Sequence, residues 1–173
     1  MMDDLPTTAA TSGYELFAPE ETVDSLLVKA YQGEVSGEAL FGTLAEHTQD
    51  DDHQRKLVTL RLLETRTKNA LVPAMRRNDL PIEPDPPVVR DAEVRATKAA
   101  SLSWSDFLGF FEPITTQYIA LYDRIRELAD GDDHAAAQLL VAHEKALREF
   151  SRRELAGRSD ESLDHITALP HMQ

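Results

Sequence analysis

Cysteine is absent from this chain of 173 residues. Disulfides, thiolate metal sites and cysteine nucleophiles are thereby excluded, and a metal centre would have to use carboxylate and imidazole. Positive charge is scarce: 18 Lys and Arg stand against 31 Asp and Glu, a formal net charge of −13. A surface of that sign repels phosphate backbones and anionic bilayers, so neither nucleic acid nor membrane is an expected partner. No apolar run approaches the roughly 18 residues of a spanning helix. Met1 to Leu5 is acidic and lacks the basic and apolar regions of a secretion signal. A cytoplasmic location is the expectation. The 42% hydrophobic content suits one domain with a sizeable core.

Residues 1–18 carry Pro6, Thr7, Thr8, Thr11, Ser12 and Gly13, a turn composition without a sustained period. They read as an N-terminal arm, pinned by Tyr14, Leu16 and Phe17. From Pro19 the pattern changes. Val23, Leu27, Ala30, Glu34, Gly37, Phe41 and Leu44 step by 4 and 3 alternately, one face of a helix reaching about Thr48. Asp50, Asp51 and Asp52 suit the start of a second helix, because carboxylates cap orphan amides and favour the positive dipole end. Leu57, Leu60, Glu64, Thr67, Leu71 and Ala74 continue it to about Arg76.

The prolines of 81–87 forbid helix there. With a short helix over about 90–100, they make a connection of about 25 residues, long enough to return the chain to the opposite end of a bundle. Bundle connections usually take roughly 2–8 residues, so simple up-down-up-down topology is not required. Ser103 and Asp106 form a capping pattern for a third helix. Trp104, Phe107, Phe111, Ile114, Tyr118, Leu121, Ile125 and Leu128 give its stripe, with a kink at Pro113 and an end at Gly131. Ala136, Leu140, His143, Leu147 and Phe150 mark a fourth helix that ends at Gly157. The fold class is all-α: an antiparallel four-helix bundle over 19–157, with a C-terminal tail or short helix over 158–173.

Polar groups on the inward stripes are the anomalies. Glu34 and Glu64 each lie 15 residues from a turn at Gln49, so they face each other at equal height on adjacent antiparallel helices. A long crossover brings Tyr118 and His143 to the same layer. Glu38 and Glu144 flank it. Two carboxylates this close cannot both stay charged in a low dielectric without a cation or a shared proton. The metal reading takes Glu34, Glu64, His143, Glu38 and Glu144 as ligands, with Tyr118, Tyr31 and Thr67 as supporting donors. The competing reading is a protonated polar layer that sets helix register in a metal-free structural or interaction protein. His47 and His53 read as exposed flanks of a turn, His165 and His171 as tail residues. Glu112 reads as a surface charge, a ligand only under up-down-up-down topology.

The helix pattern, the long second crossover, Glu34, Glu64 and His143 together resemble the ferritin-like superfamily of ferritins, bacterioferritins and rubrerythrins, over about residues 20–157. Carboxylate and imidazole ligation suits iron, manganese or zinc; the resemblance implies iron, mononuclear or dinuclear, and an oxidoreductase or iron-handling role. It implies dioxygen, peroxide or a small-molecule substrate as partner, with a homodimer as an option. In that superfamily a Glu from each of two helices and an E-x-x-H from each of the other two hold the irons. Glu34 matches the first-helix ligand and Glu64 the second. Here, however, Glu64 is followed by Thr67 rather than a histidine, and Leu140 precedes His143 where a carboxylate belongs. Tyr118 stands where the third helix offers a carboxylate.

Overall fold

A computed structural model describes residues 21–173, and these are helical with no strand among them. The expected arm of residues 1–18 and the helix start at Pro19 lie outside the described residues.

Helix α1 spans Val23–His47, α2 Asp51–Arg77, α3 Pro86–Ala99, α4 Trp104–Gly109, α5 Phe111–Leu128 and α6 Gly131–Leu155. A 3₁₀ turn at Ser159–Glu161, the short helix α7 at Asp164–Thr167 and a 3₁₀ turn at Pro170–Met172 complete the chain. The starts are set by local chemistry. Thr22 accepts a hydrogen bond from the Ser25 amide at 3.2 Å, and Asp50 from the His53 amide at 2.9 Å. Ser103 accepts from the Asp106 amide at 3.1 Å and donates to its carboxylate at 2.6 Å. These side chains satisfy amides that the first turn leaves without partners. Gly157, at φ 74°, takes the left-handed conformation that closes α6.

Cross-helix bonds fix the directions. Thr65 donates to Glu38 and Gln54 to the Ala45 carbonyl, so α1 and α2 are antiparallel. Arg77 meets Asp133 while Lys56 meets Glu154, so α2 and α6 are antiparallel too. Tyr122 bonds Glu34 and Phe111 packs on Phe41, which sets α5 antiparallel to α1. The crossover helix α3 runs parallel to α1, tied by Tyr31 to Ile82, Gln32 to Glu83, and Arg95 to Ser36.

The third helix is not the single kinked helix that its stripe suggested. It breaks at Phe110 into α4 and α5. Pro113 has no N–H to give, and its ring excludes the carbonyl of Gly109, so the run ends there instead of bending through it. The last residues, expected as a tail or short helix, include the short helix α7, with Ile166 and Leu169 buried alongside Phe150 and Leu63 in one apolar cluster.

The core forms two apolar clusters. One gathers Phe41, Leu44, Leu57, Leu63, Phe107, Phe111, Leu147 and Phe150. The other gathers Leu27, Val35, Leu71, Leu121, Ile125, Leu140 and Val141. Buried polar residues stand near the level where the two clusters meet: Glu34 on α1, Glu64 and Thr67 on α2, Thr115 on α5, and His143 with Glu144 on α6. No helix of the described residues is long and apolar enough to cross a membrane.

Candidate metal centre

Glu34 comes from the middle of α1, Glu64 from α2 and His143 from α6. One ligand atom of each lies within 4.8 Å of the others, and all three residues are buried. His143 Nε2 is 3.5 Å from Glu64 Oε1, and its Nδ1 is 3.7 Å from Glu34 Oε2. Glu34 Oε2 is buried without a hydrogen-bond partner. Its other oxygen accepts from the Tyr122 hydroxyl at 3.2 Å.

Two glycines on α1 make this approach sterically feasible. A Cβ on Gly37 would stand 2.5 Å from Glu64 Cδ, so only a residue without one lets that carboxylate occupy its position. Gly33 admits the rings of Tyr118 and Tyr122, with a Cβ there 3.2 Å from Tyr118 Cε1.

Electrostatics follow from burial. Desolvation raises the Glu34 carboxyl well above its ordinary value; His143 opposes this, while the neighbouring Glu64 carboxylate adds to it. Glu64 is pushed up to about 8 by burial, with the neighbouring Glu34 carboxyl acting against the shift and the Glu38 charge adding to it. Burial also raises Glu144 strongly, helped by Glu34 and Glu64. His143 is lowered by burial, with Glu34 acting against the shift. Burial in this layer favours protonated carboxyls and a neutral imidazole, and a bound cation would favour the carboxylates while leaving the imidazole neutral.

Thr67 bridges two imidazoles. Its hydroxyl lies 2.8 Å from His143 Nδ1 and 3.0 Å from His171 Nε2. A hydroxyl donates once and accepts as well, so it can accept a hydrogen bond from His143 Nδ1–H and donate its own to His171 Nε2. That arrangement leaves His143 Nε2 free as a ligand atom. Nothing in the spacing of His171 announced this position; Arg66 donates to its carbonyl at 3.3 Å and holds it there.

The other expected residues are placed differently. Glu38 is not in the layer: it pairs with Lys68 and accepts from Thr65 at 2.6 Å, and those bonds hold its carboxyl below the usual range despite partial burial. Tyr31 supports no ligand, because its hydroxyl donates to the Ile82 carbonyl of the crossover. Glu144 stays outside the group of three but lines the cavity beside it. Tyr118 also lines that cavity, and the ligand contact expected of it is made by Tyr122, one turn further along. The break at Phe110 interrupts the continuous rise assumed for one helix, which brings Tyr122 level with Glu34. His47 and His53 are surface groups, the latter stacked on Trp104 with centroids 4.2 Å apart. Glu112 pairs with Arg152 on the surface.

No protein-family description matches this chain, and neither the curated proteins nor the solved structures contain a match to it.

Proposed function

We propose that this chain is a ferritin-like four-helix protein, built from α1, α2, α5 and α6 with α3 and α4 in the crossover. It binds iron, with manganese or zinc as alternative occupants, at Glu34, Glu64 and His143, and with iron or manganese serves as an oxidoreductase or iron-handling protein. The observation that carries this reading is the convergence of two buried carboxylates and a buried imidazole, from three helices, within 4.8 Å. An oxygen and nitrogen donor set suits these ions. Glu34 Oε2 is a buried acceptor without a hydrogen-bond partner, the kind of atom a cation would satisfy.

Three protein ligands favour one ion with open positions over a dinuclear centre. Glu38 is committed to Lys68, and Glu144 stands apart. The ion would supply redox chemistry and charge; the chain supplies orientation through Thr67 and Tyr122.

Anaerobic titration of metal-stripped protein with Fe(II), Mn(II) or Zn(II) tests this. About one equivalent should bind, and the Glu34→Gln/Glu64→Gln variant should bind none. Uptake below about 0.2 equivalents for all three ions would overturn the reading. The metal-free reading is favoured by one observation, the closeness of the buried Glu34 and Glu64 carboxyls, whose pKa values burial raises, since a proton held between them relieves their repulsion without a cation. It predicts that the same double variant is more stable than the parent at every metal concentration.

A further inference from the structure

A cavity of about 630 Å³ adjoins the three-ligand layer, with Glu34, Glu64, Glu144, Tyr118 and Tyr122 along one side. Its other walls are α3, the α3–α4 connection, α4 and the start of α5. Dioxygen or peroxide needs no such space; pockets of roughly 300–1,000 Å³ hold whole small organic molecules.

The lining is chemically uneven. The chain has only 6 Phe, 4 Tyr and 1 Trp. Phe41, Phe107, Phe110, Phe111, Tyr118 and Tyr122 all face this one cavity. Phe110 is 47% exposed and Ile114 43%, so the cavity reaches solvent along the break between α4 and α5. Ring-rich walls favour a flat body, since aromatic pairs gain from stacked and edge-on contacts beyond simple burial.

The charge is segregated as well. In a protein of net charge −13, the cationic residues lining the cavity are Arg95 and Lys98, one turn apart on exposed positions of α3. Arg95 is anchored by Asp91 at 2.9 Å and by Ser36 at 2.7 Å, which steadies its guanidinium at the rim. Lys98 pairs with no carboxylate among the described residues. An anionic head would meet these two cations, whereas at the inner side it would meet three carboxyl groups.

We propose that the cavity binds a small organic anion with a flat apolar body, its head held by Arg95 and Lys98 and its body lying between the Phe107–Phe111 wall and Glu34. This rests on the reading above in one respect: the bound molecule is the substrate presented to the Glu34, Glu64 and His143 centre. Glu144 and Tyr118 border the same space and contact the body from the inner side.

Binding of 2-naphthoate, followed by its fluorescence and by calorimetry, tests the inference on the full chain with and without Mn(II). Saturable binding is expected in both states, weakened at least about tenfold in the Arg95→Gln/Lys98→Gln variant, about 1.4 kcal/mol. The neutral analogue 2-naphthylmethanol should bind wild type and that variant alike. Ile114→Trp, which fills the opening, should abolish binding of both while thermal melts show it folded. Dodecanoate, with the same head on a flexible body, should bind more weakly than 2-naphthoate. No naphthoate binding up to millimolar concentration, or binding indifferent to both variants, would overturn the proposal whatever the metal titration shows. Naphthoate binding in a protein that takes up no metal would instead retain the anion site, remove its role as substrate of a metal centre, and sink the reading of function. Metal uptake without naphthoate binding does the reverse.

Discussion

Gly37 on α1 and the carboxyl of Glu64 on α2 occupy mutually exclusive space: a Cβ at residue 37 would lie 2.5 Å from Cδ of Glu64. One helix therefore contributes both a ligand candidate, Glu34, and the room in which its partner from the next helix sits. Gly37→Ala should raise intrinsic helix stability by up to about 1 kcal/mol while forcing Glu64 out of the layer. Metal affinity should fall at least about tenfold, or about 1.4 kcal/mol. A titration and a thermal melt on the same sample check both. Unchanged affinity would show that Glu64 is not a ligand.

The Thr67 hydroxyl holds the His143 ring through Nδ1 at 2.8 Å. Thr67→Val keeps the volume and removes the bond. Loss of a partner that orients a ligating imidazole costs about 10–100-fold in metal affinity. Thr67→Ser should restore most of it. If Val and Ser behave alike, the bond has no role in orienting the ring.

The metal-free protein should lose stability as pH rises through neutrality. Burial lifts Glu64 to about 8 and raises Glu34 and Glu144 as well, against a usual value of 4.5. Above that usual value the unfolded chain releases protons that the folded layer still holds. The contribution is therefore fully present below about pH 4.5 and lost as pH climbs through about 8. Urea titrations of metal-free wild type and Glu34→Gln/Glu64→Gln at about pH 5 and about pH 8.5 should show a steeper decline for wild type. Parallel declines would refute the assignment. By the same linkage, metal uptake near neutral pH should release protons, measurable from calorimetry in buffers of different ionisation enthalpy.

Lys56 supplies a control remote from the layer. Its ammonium is buried, 2.7 Å from Glu154 and 2.5 Å from Asp52, with Ser159 also in contact. Burial opposes its charge, but the bonds to Asp52 and Glu154 outweigh this and raise it above its ordinary value. Lys56→Met leaves Glu154 buried without its cation and should cost about 3–5 kcal/mol. Lys56→Met with Glu154→Gln should recover a large part of the loss. Denaturant unfolding decides, and metal affinity should not move in either variant.

Much of this was readable from spacing because helical phase is local. Asp50 and Ser103 cap where their side chains allow, and the equal heights of Glu34 and Glu64 follow from a uniform rise on either side of one turn. His143 joined them because α5 and α6 reverse direction over a short connection. Gly37 already stood on the inward stripe, although its consequence depends on which partner side chain lies opposite. Pairings between distant segments left no periodic trace: Lys56 with Glu154, Tyr31 with Ile82, and Thr67 with His171 are decided by tertiary packing. The cavity is least legible of all. It is a space between α1, α3 and α5, set by how far apart three helices stand, and a pattern of residues records contacts rather than gaps.

The polar layer between the two apolar clusters has a consequence for cooperativity. A chain with no cysteine has no disulfide between its helices, and here buried polar residues interrupt the packed core at mid-height on α1, α2, α5 and α6. An ion joining α1, α2 and α6 at that height would act as a non-covalent cross-link between segments far apart in sequence. Hydrogen exchange in the metal-loaded protein would then show the halves opening together. Without the ion, each half would open on its own free energy, and the interruption would set the boundary between two separately unfolding units.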